Sequence, residues 1–134
     1  MNEKYAMKIL LLTLMFAVMS SSAMAEWVPV DTSNRGITYV DTATVRRKAS
    51  NKVKIWELVD YKTVQRSADL QYNSAMFQTQ YDCKEEQYQF LYSSFHSENM
   101  GGGDVVRTNN NPSKWAPVPP DSIVKGLWKF ACGK

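Results

Sequence analysis

The feature that most constrains the fold is a run of alternating side chains over residues 53–62. Apolar and charged residues recur there with a period of two, as they do in a half-buried β-strand. One side carries Val53, Ile55, Val59 and Tyr61, and the other carries Lys54, Asp60 and Lys62. Trp56 and Leu58 share the charged side, so we expect that side to be partly covered as well.

The same alternation predicts further strands along the chain. They cover residues 27–30, 37–41, 44–47, 72–83, 87–97 and 104–107. No connection between them is long enough for a helical crossover, so the predicted topology is an antiparallel meander of about six strands. Within residues 87–97, the pattern places Tyr88, Phe90 and Tyr92 on one side, with Leu91 and Phe95 on the other.

The last segment has the pattern of a helix. A proline-rich break at residues 117–120 is followed by Asp121 and Ser122, whose side-chain oxygens are typical of a helix N-cap. The apolar residues beyond them recur at helical spacing and are Ile123, Leu127, Phe130 and Ala131. The predicted fold class is therefore α+β, an antiparallel sheet with one C-terminal helix.

Residues 1–25 have the pattern of a secretory signal that is removed. A basic start precedes an apolar run over residues 9–19, and the small residues Ala23 and Ala25 flank Met24 before the cleavage site. A run of about eleven apolar residues is too short for a membrane-spanning helix, which needs about twenty. We therefore expect one exported domain, residues 26–134, that is periplasmic, secreted or on the cell surface, without stable membrane insertion. Because no cysteine follows the cleavage site, no lipid anchor is expected.

The chain contains two cysteines, Cys83 and Cys132. An even number of cysteines in an exported domain indicates a disulfide. A pair of metal ligands or a redox couple is the alternative, and it is disfavoured because there is no Cys-x-x-Cys motif and the chain has one histidine. A bridge closing a loop of about fifty residues would stabilise the fold by about 4 kcal/mol.

The charge balance does not favour a nucleic-acid partner. The chain has 16 basic and 13 acidic residues, a net charge of +3. Nucleic-acid-binding domains usually carry a much larger basic excess on one face, so no nucleic-acid partner is predicted. The densest basic cluster consists of Arg46, Arg47, Lys48, Lys52 and Lys54. It is either a solvated hairpin tip or a weak site for acidic polymers, acidic protein surfaces or anionic lipid headgroups.

Aromatic residues offer a second candidate surface. Trp56, Tyr88 and Tyr92 either pack in the core or lie on an exposed sheet face, where tyrosine and tryptophan favour protein contacts. Together with the basic residues Arg46, Arg47, Lys48 and Lys52, they form the predicted interaction surface.

No set of residues in the sequence indicates catalysis, a metal site or a cofactor. The triple glycine of residues 101–103 precedes Asp104 and a strand, which favours a turn over a phosphate-binding loop. His96 shares a strand side with Ser94 and Glu98, but it lacks the arrangement of a catalytic triad. The prediction is a protein that is not an enzyme. A pocket lined by Glu57, Asp60 or His96 with perturbed protonation would favour an enzyme instead.

Several motifs in order resemble the surface-adhesin protein E family of Gram-negative bacteria. They are Tyr39-Val40-Asp41, Asp60-Tyr61-Lys62, Tyr81-Asp82-Cys83-Lys84, Met100-Gly101-Gly102-Gly103, Trp115 with Pro119-Pro120-Asp121-Ser122, and Ala131-Cys132. The resemblance implies an antiparallel sheet with a C-terminal helix held by a Cys83–Cys132 disulfide. It also implies binding to host matrix or plasma proteins such as vitronectin, laminin and plasminogen.

One departure from the family pattern leaves two functions open. The family's adhesin is a lipoprotein, whereas this chain has Ala25-Glu26 where the lipidated cysteine would stand. The first expectation is an exported, non-enzymatic binding protein of the surface-adhesin type. The alternative is a periplasmic domain that has a structural or binding role in the envelope and no adhesin role.

Overall fold

The computed structural model describes residues 2–5 and 25–134. The apolar run of the predicted signal, residues 9–19, lies outside the described residues, so the signal and its cleavage stay predictions. Among the described residues, no helix has both the length and the hydropathy needed to cross a membrane.

Within the described residues, the architecture is an antiparallel sheet of seven strands. They are β1 Trp27–Thr32, β2 Gly36–Arg47, β3 Lys52–Ser67, β4 Leu70–Asp82, β5 Gln87–His96, β6 Val105–Asn109 and the two-residue β7 Ala116–Pro117. The first six follow one another in spatial order, and β7 pairs with β5. This strand order, together with the C-terminal helix described below, confirms the predicted α+β meander. The two short segments predicted at residues 37–41 and 44–47 form the single strand β2, whose register with β3 shifts between Asp41 and Arg46.

Strand register decides which side chains meet the helix. Val53 pairs with Tyr81, Ile55 with Thr79 and Glu57 with Phe77, and paired residues lie on the same side of a sheet. We call this side the helix face, because it carries most of the buried core. The core residues are Val40, Val53, Ile55, Tyr81, Val118, Leu127, Trp128 and Ala131.

The alternation predicted for β5 is wrong in its second half. Phe90 pairs with Thr79 and Tyr92 with Gln78, so the residue between them, Leu91, is an extra residue in the ladder. Such a bulge reverses the sides of the residues that follow it. Tyr88 and Phe90 therefore lie on the helix face, Tyr92 lies on the opposite face, and Phe95, which pairs with Ala75, returns to the helix face.

The C-terminal helix, α1, spans Ile123–Cys132. The Ser122 hydroxyl oxygen accepts a hydrogen bond from the Lys125 N–H at 3.1 Å, which confirms the predicted cap. The buried stripe differs from the predicted one, because Leu127, Trp128 and Ala131 are buried whereas Ile123 and Phe130 are exposed. Trp128 is held inward by a hydrogen bond from its Nε1–H to the Asp82 carbonyl oxygen, at 2.9 Å.

A disulfide joins Cys83, directly after β4, to Cys132 at the end of α1. The predicted bridge is thus confirmed. Arg47 adds a second tie at this end of the helix, since its Nη1 donates to the Ala131 carbonyl oxygen at 3.2 Å. The last turn of the helix is therefore fastened to both β2 and the end of β4.

The triple glycine forms a turn, as predicted. The structure places this turn over the face of the sheet opposite the helix. The backbone N–H of Met100 donates to Asp60 Oδ1 at 2.7 Å, and that of Gly101 donates to Ser74 Oγ at 2.9 Å. Gly101 has a φ of +73°, and a Cβ at this position would lie 3.1 Å from Met76 Sδ. A larger residue would therefore strain the backbone and crowd the sheet.

We expect the Cys83→Ser/Cys132→Ser variant to lose about 4 kcal/mol of unfolding free energy, because the unfolded chain regains the entropy of an open loop. Chemical denaturation measures the loss, and hydrogen exchange should show α1 opening before the strands. Wild-type protein treated with reductant is the control and should show the same loss. Equal denaturation midpoints for the oxidised wild type and the variant would contradict a stabilising bridge.

Candidate functional site

The helix is too short to cover its face of the sheet. Strand β3 has 16 residues and α1 has 10, so at about 3.3 Å and 1.5 Å per residue they extend over about 50 Å and 15 Å. Because the disulfide fastens the C-terminal end of α1, the uncovered part of the sheet lies beyond its N-terminal end. Two sites result, one at each end of the helix.

A cavity of about 220 Å³ lies between the start of α1 and the sheet. Its walls are mostly apolar, and three of its lining residues, Ile123, Val124 and Leu127, come from the helix. The sheet contributes Gly36 from β2, where the backbone comes so close that a Cβ would overlap the Asp60 carbonyl oxygen. The aromatic lining residues are Tyr61, Phe77, Tyr81, Tyr88 and Phe90.

Six aromatic rings form a continuous ladder that passes through this cavity. The ring centroids are 5.4 Å apart for Tyr88 and Phe90 and 5.3 Å apart for Phe90 and Phe77. The ladder continues from Phe77 through Phe95 and Tyr72 to Tyr61, with separations of 6.3, 4.8 and 5.7 Å. Contacts of this kind fix the orientation of the rings, so the cavity wall is preorganised.

One carboxyl group, that of Glu57, is buried in this wall, with 3% of the residue's surface exposed. The Thr79 hydroxyl donates to Glu57 Oε2 at 2.9 Å, and the Tyr81 hydroxyl donates to Oε1. Within residues 2–5 and 25–134, no cationic side chain bonds to or pairs with Glu57. The sequence analysis assigned Glu57 to neither side of β3. Because side chains alternate along a strand, residue 57 lies on the same side as Val53 and Ile55.

Burial controls the protonation of Glu57. Loss of solvation raises the pKa of its carboxyl group from 4.5 to about 7, although the hydrogen bonds from Tyr81 and Thr79 act in the opposite direction. Burial, and then the nearby Glu57 carboxylate, raise the pKa of Tyr81 as well. The carboxyl group is therefore poised between its neutral and charged forms near neutral pH.

Asp60 and His96, the other two candidates for an enzymatic pocket, do not line the cavity. Asp60 holds the glycine turn described above. His96 is buried with its Nε2 2.8 Å from Ser94 Oγ, and its Nδ1 has no hydrogen-bond partner among the described residues. Burial lowers the pKa of His96. Among the described residues, no group of three or more potential metal ligands occurs.

A groove of about 410 Å³ lies at the other end of α1, around the disulfide. Its walls carry five cationic side chains, from Arg47, Lys48, Lys52, Lys84 and Lys134. We call it the basic groove. The sequence pattern identified the first three, but Lys84 and Lys134 are distant along the chain and join them because the disulfide brings their neighbours Cys83 and Cys132 together.

Most of the charge in the basic groove is uncompensated. Among the described residues, only Lys52 of the five forms an ion pair, with its Nζ 3.5 Å from Asp82 Oδ2. The Lys52 ammonium also lies 5.8 Å from the centre of the Trp115 ring. Lys54 lies outside the groove, and burial, followed by repulsion from the Lys48 ammonium, lowers its pKa.

The predicted interaction surface does not form one patch. Arg46 pairs with Lys54 in the sheet, on the side opposite Arg47, and donates its Nη1 to the carbonyl oxygens of Ala43 and Val45. Trp56 and Tyr92 stack edge to face on that same opposite side, with centroids 5.5 Å apart. Tyr88 lies in the cavity on the helix face. The structure thus divides these residues between the basic groove, the cavity and the opposite face.

Comparison with known proteins settles the family. A family model described as surface-adhesin protein E matches residues 27–133, nearly all of the described domain. The chain belongs to the surface-adhesin protein E family. The resemblance seen in the sequence motifs is thereby confirmed. No curated protein sequence matches the chain significantly.

Solved structures of protein E from Haemophilus influenzae have the same fold as this family member. The selenomethionine form is 14% identical, with a TM-score of 0.58, and the match covers 83% of this chain and 95% of that one. Crystal form II is 14% identical, with a TM-score of 0.57 and coverage of 83% and 97%. Protein E from a non-typeable strain is 12% identical, with a TM-score of 0.59 and coverage of 84% and 79%.

Replacing Glu57 by Gln should remove a dependence of stability on pH. Because the folded pKa of about 7 exceeds the ordinary 4.5, the native state retains a proton that the unfolded chain releases between these values. The stabilisation from this proton is complete below about pH 4.5 and disappears as the pH rises through 7. The stability of the wild type relative to Glu57→Gln should therefore fall by at most about 3 kcal/mol over this range.

Urea denaturation at several pH values measures this difference. Glu85→Gln, an exposed position in the turn after β4, is the control and should follow the wild type. Parallel stability curves for the wild type and Glu57→Gln between pH 5 and 8 would contradict the raised pKa.

Proposed function

We propose that this domain is an exported, non-enzymatic adhesin that binds host matrix or plasma proteins such as vitronectin, laminin or plasminogen. The observation that carries the proposal is the family match over residues 27–133. The structure supports it with an exposed basic groove whose charge is largely unpaired. The fold alone does not identify a ligand, so the binding surface is argued from this chain's own residues.

The basic groove suits an acidic protein segment. Arg47, Lys48, Lys84 and Lys134 are exposed, and none has an ion-pair partner among the described residues. Clustered positive charge speeds the encounter with an acidic surface and favours partners of opposite charge. The disulfide and the Arg47–Ala131 hydrogen bond hold the walls together, so the charges are preorganised for binding.

A non-enzymatic role is proposed even though Glu57 lines a cavity and has a raised pKa. Catalysis of group transfer needs an activated nucleophile within reach of a base. Ser33 is the serine among the lining residues, and its hydroxyl donates to the Gly36 carbonyl oxygen at 3.3 Å within a turn. The oxygens of Glu57 are bound by Thr79 and Tyr81. This arrangement favours binding over catalysis.

A periplasmic role in the envelope is the second candidate. It is favoured by Ala25-Glu26, which stand where the family's adhesin carries a lipidated cysteine. In this case, the basic groove would contact an envelope component in place of a host protein.

Charge reversal in the basic groove should weaken binding to host proteins. We expect Lys48→Glu/Lys84→Glu to bind immobilised vitronectin or laminin at least about tenfold more weakly, because attraction becomes repulsion at the contact. Surface plasmon resonance at low and physiological salt measures the change. Lys62→Glu/Lys114→Glu is the control, since it makes the same change in net charge at exposed positions outside the groove.

Two results would count against this surface or this function. Equal loss in both double variants would show that overall charge, and not the groove, controls binding. Wild-type binding no stronger than that of an unrelated basic protein of the same size would overturn the adhesin proposal.

Location on the cell separates the two candidate functions. If the domain is an adhesin, an antibody against it should label intact cells, and added protease should remove the label. A known periplasmic protein in the same cells is the control and must stay protected. Labelling only after the outer membrane is opened would support the periplasmic role and contradict display on the surface.

A further inference from the structure

The cavity at the N-terminal end of α1 is separate from the basic groove. It shares no lining residue with the basic groove, and the two sites lie at opposite ends of the helix. An inference about the cavity therefore does not rest on the proposed adhesin function.

The size of the cavity limits what it can hold. An apolar cavity of about 150 Å³ accommodates a benzene molecule. At about 220 Å³, this cavity has room for one ring and a short chain of two or three atoms. Its apolar and aromatic walls suit such a body, and a small number of polar groups in the wall would fix its orientation.

The Glu57 carboxylate in the wall can accept further hydrogen bonds from a ligand. Each oxygen of Glu57 already accepts one hydrogen bond, from Thr79 or Tyr81, and a carboxylate can accept about four. No cation among the described residues compensates its charge. Tyr61, Phe77, Tyr88 and Phe90 also line the cavity, and aromatic rings attract positive charge through their π-electrons.

We propose that the cavity binds a small organic amine, whose apolar body packs against the aromatic ladder and whose ammonium group donates to Glu57. An ammonium group supplies the positive charge and the N–H donors that the buried carboxylate lacks. A neutral alcohol of the same shape supplies a donor without the charge, and a carboxylic acid brings a second negative charge against Glu57.

Arg35 is the other charged residue that lines the cavity. Its Nη2 donates to Gln65 Oε1 at 3.2 Å and its side chain is exposed, so solvent screens the guanidinium group. The helix presents only the apolar residues Ile123, Val124 and Leu127 to the cavity. Burial brings the pKa of Glu57 to about 7, whereas burial raises the pKa of Tyr61 and of Tyr81 above the ordinary value of 10.

Protonation gives the site a measurable signature. Since the pKa of Glu57 is about 7, roughly half of the molecules carry a proton there at pH 7, and amine binding expels it. Affinity should fall by roughly 30-fold from pH 8 to pH 5.5, following the ionised fraction of Glu57. Titration calorimetry in two buffers of different ionisation enthalpy should report about half a proton released at pH 7.

Three probes of nearly equal shape test the charge preference. They are phenethylamine, 2-phenylethanol and 3-phenylpropionate, titrated into the full domain by calorimetry and by NMR of its amide signals. We expect phenethylamine to bind with a Kd on the order of 0.1–1 mM, typical of so small a ligand. It should bind at least tenfold more tightly than the alcohol at pH 8, and shifts should centre on the residues that line the cavity.

Two variants identify the residue responsible. Glu57→Gln keeps the shape of the side chain and should weaken phenethylamine binding at least tenfold while leaving 2-phenylethanol unchanged. Glu85→Gln makes the same chemical change at an exposed position outside the cavity, so it is the matched control and should leave amine affinity unchanged. If Glu57→Gln does not fold, the pH dependence and proton release of the wild type carry the test.

Several outcomes would overturn the proposal. Equal affinity for the amine and the alcohol would show that Glu57 acts as a neutral group. Tighter binding of 3-phenylpropionate, lost in Arg35→Gln, would show that the site prefers anions. Absence of binding by all three probes, or shifts confined to the basic groove, would show that the cavity is not a site for these ligands.

Discussion

The packing of one short helix, fastened at one end, determines the layout of this domain. The Cys83–Cys132 bridge and the Trp128–Asp82 hydrogen bond fix the last turns of α1 against the sheet. The fastened end gathers four lysines and one arginine from three separate parts of the chain into the basic groove. The free end covers only part of the aromatic sheet surface and leaves the cavity beneath it. Both candidate sites therefore depend on the same attachment, although they share no residue.

Glu57 is an unusual residue for the buried face of a sheet, because its carboxyl group is polar. Burying a carboxyl group among apolar neighbours costs stability that a valine or leucine would not cost, even when hydrogen bonds offset part of it. The hydroxyls of Thr79 and Tyr81 supply those bonds from the neighbouring strand, which makes the carboxyl group part of a polar network on an otherwise apolar face. A network of this kind restricts the geometry of the cavity wall.

Much of the fold could be predicted from local patterns. The alternation in β3 and β4 and the Ser122 cap depend on neighbours in sequence, and both predictions were confirmed. The disulfide followed from the even number of cysteines and was confirmed as well. The extra residue at Leu91 was missed, because a bulge is a property of the pairing between strands. The buried side of α1 was misjudged at Phe130 for a similar reason. The side of the helix that packs inward depends on the hydrogen bond from Trp128 Nε1–H to the Asp82 carbonyl oxygen, which lies in the sheet.

The sites were harder to predict than the fold, since each combines residues that are far apart in sequence. The alternation alone was sufficient to place Glu57 on the helix face, but only the pairing with Thr79 and Tyr81 shows that it is held in a cavity wall. At 12–14% identity, the relatives retain the fold of this chain. A fold preserved at such low identity depends on pattern and packing and leaves most surface positions free to vary. Recognition of a partner must therefore be argued from this chain's own groove and cavity, where charge and shape are specific to it.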